Sequence, residues 1–229
     1  MRLEMLYSAI ESKEQLESIF LAFAKEYRRL AKKNAIPLEI TVIGGASVLL
    51  NYTFREATYD VDVIMLHDPV LKEAINNVGL QFNLEPKWLN TDFERSSSYS
   101  RNLLEHAEFY KEFLGLIEVR TIKDEYLIAM KLKASRDYKY DISDVIGILG
   151  GCQKQGKHMS RALIEKAVID LYGSVDEVKK EDWDRLDSIM KNGDYDGLII
   201  EFRKLEKERK ARQEEKWRKE KEASQNNKV

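Results

Sequence analysis

The apolar residues of this 229-residue chain follow two periods, and each period predicts a different element. Leu16, Ile19, Phe20, Phe23, Tyr27 and Leu30 recur at three- and four-residue spacing, which predicts one amphipathic helix over residues 12–33. Ser12 with Gln15 three residues on fits a capping box, which satisfies two of the N–H groups a helix start leaves orphaned. The β-branched run 38–43 predicts a strand, bounded by Pro37 before it and by Gly44 and Gly45 after it. Residues 46–52 are long enough for about two helical turns. The run 61–66 predicts a second strand, and His67-Asp68-Pro69 then reads as a stop and restart. Pro69 suits the first turn of a helix that ends near Gly79.

Further along, 80–90 is mixed and 91–100 is a serine-rich polar loop. A strand over 107–113 leads through Leu114-Gly115 into 116–122, where Ile117 and Val119 alternate with Glu118 and Arg120 as in a half-buried strand. Helices are predicted over 123–135, from Asp141 to the Gly150-Gly151 pair, over 160–172 and over 180–190. Strands interspersed with helices, with helix dominating toward the C-terminus, make an α+β (α/β) fold with a helical C-terminal half. There is no internal repeat. The chain divides into an N-terminal helical segment (1–37), a core (38–150), a helical region (151–195) and a charged helix with a frayed tail (196–229).

That last helix carries Glu206–Lys210, Glu208–Arg212, Glu214–Arg218 and Glu215–Lys219, all spaced i, i+4 with the acid first. Apolar anchors thin out after Leu205, so it reads either as a charge-laced solvated helix or as a basic arm touching RNA or a partner. Composition narrows the field. A hydrophobic content of 43% with 10% aromatics is that of a globular protein, and no apolar run approaches the roughly 20 residues a membrane span needs. No membrane partner is expected. A single cysteine, Cys152, makes no internal disulfide, and the N-terminus lacks an apolar signal region, so a reducing, cytoplasmic setting is expected. Three scattered histidines without cysteine pairs argue against zinc.

The chemistry lies between the first two strands. Asp60 and Asp62, either side of Val61, project from the same strand face and repel each other unless a cation lies between them. Such oxygen ligands suit Mg²⁺ or Mn²⁺. Glycines at a strand-to-helix turn let backbone N–H groups approach an anion at the positive end of a helix dipole. A phosphate cradle and metal carboxylates together equip a site for phosphoryl or nucleotidyl transfer. Arg55, just ahead of the aspartates, either binds phosphate or caps the short helix.

The stretch from Ile43 to Met65, a double glycine followed by Arg55, Thr58 and Asp60-Val61-Asp62, resembles the minimal nucleotidyltransferases of the DNA-polymerase-β superfamily, and most of all the bacterial AbiEii-like branch. The resemblance continues through Trp88-Leu89-Asn90 and into the later segment bearing Ala129, Lys131 and Leu132, then Arg136, Asp137, Asp141 and Asp144; it spans about residues 38–150. It implies a mixed sheet flanked by helices, glycines Gly44 and Gly45 holding a nucleoside triphosphate, and Asp60 and Asp62 binding divalent metal. Where the superfamily has Gly-Ser this chain has Gly44-Gly45, which leaves Ser47 as the replacement hydroxyl. The third superfamily carboxylate belongs on a later strand beside the aspartates; Glu118 is the candidate by alternation, and its other reading is a solvent-facing glutamate near Arg120. Lys131 either snorkels to solvent or reaches a phosphate, and the resemblance favours the phosphate. Arg136, Asp137, Asp141 and Asp144 read also as a salt-bridge network locking two helices, Asp144 above all, with Asp141 able to orient Lys131 or the acceptor.

The expected reaction is therefore metal-dependent transfer of a nucleoside monophosphate from an NTP to an RNA end or a protein hydroxyl. The resemblance adds a toxin–antitoxin or phage-defence setting with a cognate partner. Two rivals stand beside it: an inactive fold serving as an antitoxin or scaffold, and a phosphodiesterase using the same metals.

Overall fold

The computed structural model describes residues 7–65, 68–136 and 139–226. Leu66, His67 and Asp137, which the sequence singles out, lie outside them. Helix α1 (Lys13–Ala31) buries the predicted stripe, with Ala24 added and Leu30 left half-buried. Ser12 Oγ accepts the Gln15 N–H at 3.1 Å, but Gln15 Oε1 accepts from Glu11 N (2.8 Å) rather than from Ser12, so the box closes one residue further out. Strand β1 (Leu38–Val42) runs into α2 (Gly44–Asn51), which begins on the glycines themselves rather than after them. Then come β2 (Val61–Ile64) and α3 (Pro69–Gln81), where the Asp68 carboxylate accepts the N–H groups of Val70 and Leu71 at 2.7 and 3.3 Å.

A two-residue strand, β3 (Leu89–Asn90), lies where the sequence looked mixed. Its anchor is Trp88, which is buried and donates its indole N–H to the Ile75 carbonyl at 2.9 Å. The polar stretch that follows contains two 3-10 turns, Asp92–Arg95 and Arg101–His106. β4 (Ala107–Phe113) and β5 (Ile117–Ile122) form a hairpin closed by the three residues Leu114, Gly115 and Leu116, the first two of which have φ values of 59° and 65° and place the Leu116 N–H on the Phe113 carbonyl. Arg28 holds that loop by donating to the Leu114 carbonyl at 2.6 Å.

The five strands lie in the order β3-β2-β1-β5-β4. β1 pairs antiparallel with β2 and parallel with β5, so the sheet is mixed as expected. Register decides which side chains share a face. Ile40 and Val42 align with Val119 and Thr121, and Val42 with Val63, so this face is apolar but for Thr121 and packs on α1 and α3 around Phe20, Phe23 and Trp88. The opposite face carries Glu39, Thr41, Glu118, Arg120 and Asp62.

A second core gathers Ile43, Val48 and Ile122 with α4 (Asp124–Ala134), α5 (Asp141–Lys154), α6 (Arg161–Tyr172) and α7 (Lys180–Asn192). Helix α5 is the hub of this half and runs through Gly150 and Gly151, which the sequence suggested would end it. Those glycines are notches for aromatic rings. A Cβ at Gly147 would lie 2.4 Å from the Phe54 ring, at Gly150 2.9 Å from Tyr195 Cβ, and at Gly151 2.3 Å from the Tyr52 ring.

Helix α8 (Tyr195–Asn226) continues to residue 226. Its outer part carries the charge pairs Glu208–Arg212 (3.7 Å) and Glu215–Lys219 (2.7 Å). Glu206 is not among them: it is buried. Among the described residues no helix is long and apolar enough to cross a membrane.

Helix propensity alone favours Ala over Gly by about 1 kcal/mol, and the Tyr52 ring opposes it at Gly151. Gly151→Ala should lower stability by about 1–3 kcal/mol in urea unfolding, because overpacking must push Tyr52 aside. A gain in stability would contradict the packing described.

Candidate active site

The turn between β1 and α2 is built from backbone alone. Gly44 has φ +62°, a conformation most side chains resist. Ile43 precedes α2 as its N-cap, and no side chain caps the helix start. The first N–H groups of α2 are thus available to an external acceptor at the positive end of the helix dipole. Ile43 N–H donates to the Asp62 carbonyl at 3.0 Å, tying the turn to β2.

Asp62 reaches back over this turn: a Cβ built on Gly44 would stand 3.4 Å from Asp62 Oδ2. Asp60 projects on the same face and is exposed. It is steadied by buried Thr58, whose hydroxyl donates to the Asp60 carbonyl at 2.9 Å. Thr58 is itself pinned by a two-way backbone bridge to Ile10. Burial, with the Asp60 charge adding to it, pushes the Asp62 carboxyl up to about 6, while Arg136, Lys131 and Lys139 act to lower it. Two hard oxygen donors on one face, next to a bare main-chain turn, are the donor set that magnesium or manganese takes when waters and substrate phosphates supply the remaining ligands.

Over Gly45 lies Arg55. A Cβ there would come within 2.4 Å of Arg55 Nη2 and 2.6 Å of Cζ, so only glycine leaves room for the guanidinium. Arg55 Nη1 donates to both carboxylate oxygens of Asp144 at 2.8 and 2.6 Å. Its Nε is buried with no hydrogen-bond partner. Lys131 Nζ bridges Asp144 at 2.8 Å and Asp141 at 3.1 Å. Arg136 donates to Asp141 through Nε (2.9 Å), Nη2 (3.1 Å) and its backbone N–H (3.1 Å).

Both Asp141 and Asp144 have fully buried side chains, so their charges persist only through these partners. Burial works to raise the Asp141 carboxyl, but Lys131 and Arg136 outweigh it and hold it well below the usual range. For Lys131 burial acts to lower the value, and Asp144 and Asp141 together raise it instead. Three cations face two carboxylates, and Lys131 and Arg136 act in turn on Asp62.

The sequence-predicted residues therefore divide. Gly44, Gly45, Arg55, Asp60, Asp62 and Lys131 are brought into one neighbourhood by the turn, the aspartate strand and the ion network. Ser47 sits in the body of α2, wholly buried, with its hydroxyl unpartnered. Glu118 is not brought to the aspartates. Continuing the register, Asp62 stands across from Ile43 and Ile43 from Ile122, so Glu118 lies four residues, about 13 Å, down the strand and two strands, about 10 Å, across. There it pairs with Arg120 at 2.8 Å, the solvent-facing reading. Among the described residues no group of three or more His, Cys, Asp or Glu side chains could hold a metal. The expected three-carboxylate set is thus not assembled; the pair Asp60 and Asp62 stands without Glu118.

Among the described residues two buried acids were missed: Asp182 of α7, which accepts from the Ser135 hydroxyl and pairs with Arg185 at 3.2 Å, and Glu206. Glu206 of α8 accepts the N–H groups of Ile142 and Ser143, where an i, i+4 pair with Lys210 was expected. The signal present was spacing: Tyr195, Ile199 and Phe202, packed against the second core, continue in steps of four and three residues to Glu206, and the acids and bases alternating around it mask that face.

A mixed sheet with a glycine turn between its central strand and a short helix, facing a D-V-D strand, is the arrangement of a nucleotidyltransferase domain. The chain belongs to the family described as Nucleotidyltransferase of unknown function (DUF6036), whose model matches residues 18–149 and so includes every residue of the turn, the aspartate pair and the ion network. No curated protein and no solved structure matches the chain.

Two outcomes follow from the network. Asp144→Ala strands Lys131 and Arg55 without their shared counter-charge and should cost about 3–5 kcal/mol in urea unfolding. The depressed Asp141 value gives a pH signature: its contribution is fully present above the ordinary aspartate value of 3.8 and is lost progressively as pH falls from there through the lower folded value. The stability gap between wild type and Asp141→Asn should stay level down to about pH 4, narrow steadily below it, and be gone once pH is below the folded value. A gap that closes while pH is still above 3.8 would contradict the network.

Proposed function

We propose that the protein is a magnesium- or manganese-dependent nucleotidyltransferase that moves a nucleoside monophosphate from an NTP to a hydroxyl of RNA or protein. The observation that carries this reading is the meeting, at one turn, of the Asp62 carboxylate over Gly44 and the Arg55 guanidinium over Gly45, with Arg55 Nε buried and unpartnered. Asp60 and Asp62 would hold the divalent cation, which when bound supplies charge neutralisation on the triphosphate and activation of the acceptor hydroxyl. The uncapped N–H groups at the start of α2 orient the phosphates. Arg55 offsets negative charge that develops as the acceptor oxygen bonds to the α-phosphorus and the bond to pyrophosphate breaks. Lys131, with Nζ committed to Asp141 and Asp144, serves by fixing Asp144 beneath Arg55 and by its charge.

The resemblance to AbiEii-like domains extends the proposal to growth control in a toxin–antitoxin or phage-defence system, in the cytoplasm, with a cognate partner. A second reading, a fold that binds nucleotide or partner without catalysis, is favoured by one observation: Glu118 stands apart from the aspartate pair.

Incubation with Mg²⁺, each labelled NTP, and total RNA or lysate separates the two. Transfer of label that is lost in Asp60→Asn with Asp62→Asn is the expected result, with loss of at least about a hundredfold, the scale of removing a preorganised electrostatic group. Absence of transfer with any NTP would favour the binding module, and release of free nucleotide would mark a phosphodiesterase.

A further inference from the structure

The family match ends at residue 149, yet the site is braced by a helix outside it. Arg203, Glu206 and Lys210 of α8 are three and four residues apart and share one face. Arg203 lies over the Phe54 ring at 5.6 Å and pairs with Glu56 at 3.7 Å, so it grips the residues on either side of Arg55. Lys210 lies over the Tyr140 ring at 6.0 Å, immediately before Asp141. Between them Glu206, 4% exposed, accepts the Ile142 N–H at 3.1 Å and the Ser143 N–H at 3.2 Å with one oxygen.

Those two N–H groups belong to the first turn of α5, between Asp141 and Asp144. The α5 N-cap, Tyr140, offers no side-chain bond of its own. Glu206 is therefore the cap of α5, supplied from another helix, and its negative charge sits at the positive end of that helix. The Arg55–Asp144 ion pair spans two segments, the loop after α2 and the start of α5, and one face of α8 holds both.

We propose that Glu206, with Arg203 beside it, is a positioning residue for the nucleotidyl-transfer site, fixing the α5 turn that presents Asp141 and Asp144 to Lys131 and Arg55. Its functional meaning rests on the reading given above. The inner part of α8 is thereby a wall of the site, whatever its outer, charge-paired part does.

The test uses the full chain as wild type, Glu206→Ala and Glu206→Gln, the last keeping an amide oxygen that accepts the same two N–H bonds. Acetic anhydride labelling at Lys131, read by peptide mass spectrometry, reports whether the network holds. Lys133, two residues along the same helix and paired instead with Glu177, is the internal reference for general loosening. Loss of two bonds to a charged acceptor should raise Lys131 labelling about tenfold or more in Glu206→Ala with Lys133 unchanged, and Glu206→Gln should restore it. Equilibrium dialysis of Mg²⁺ with each NTP in parallel should show affinity falling by a similar factor in Glu206→Ala only. Unchanged Lys131 labelling, or a rise matched at Lys133, overturns the proposal. If wild type takes up no NTP while Lys131 still responds selectively, the positioning holds and the nucleotide reading fails.

Discussion

Asp141 and Asp144 have side chains sealed from water, and neither could remain ionised there without the cations arranged around them. Lys131 touches both, Arg55 grips Asp144 with one nitrogen, and Arg136 wraps Asp141 with its side chain and its own backbone. The network constrains in two directions. It locks α4 to α5, and through Arg55 it draws the loop after α2 down onto Gly45. Buried ion pairs of this kind add little net stability compared with an apolar core, so the fold gains from them mainly a fixed geometry. What they fix is a group of cations, in excess over their carboxylates, beside a glycine turn and two further acidic residues.

The position of that turn follows from sheet register. One face of the sheet is spent on the core against α1 and α3, so every second residue of the central strands is released to the other face. Asp62 is such a residue, and Ile43 brings the turn to it through a backbone hydrogen bond. The same alternation sends Glu118 to that face as well, but at the far end. Face is a property of odd and even positions; place along the strand is a property of pairing between strands, and only the first can be read from one strand's residues.

This difference accounts for what was legible in the chain. Helices α1, α3, α4, α6 and α7, and strands β1, β2, β4 and β5, follow from apolar patterning and from end signals such as Ser12 and the Asp68-Pro69 restart, because those signals are local. The glycine turn and the aspartate pair were legible for the same reason. Gly150 and Gly151 misled, since a glycine that ends a helix and one that admits Tyr195 or Tyr52 look alike until the partner ring is known. β3 was missed because its two residues carry no pattern and are held by Trp88. Glu206 reads as one more charge in a solvated helix, and its burial depends on α5, more than fifty residues earlier.

The central claim is that the Gly44–Gly45 turn, Asp60 with Asp62, and Arg55 form a single site for a metal–nucleoside triphosphate complex. A crystal structure with manganese and a non-hydrolysable NTP tests it most directly. The account predicts an anomalous manganese peak at the Asp60 and Asp62 carboxylates, with phosphate oxygens against the α2 N–H groups and Arg55. A triphosphate bound elsewhere, or manganese absent from the two aspartates, would contradict it.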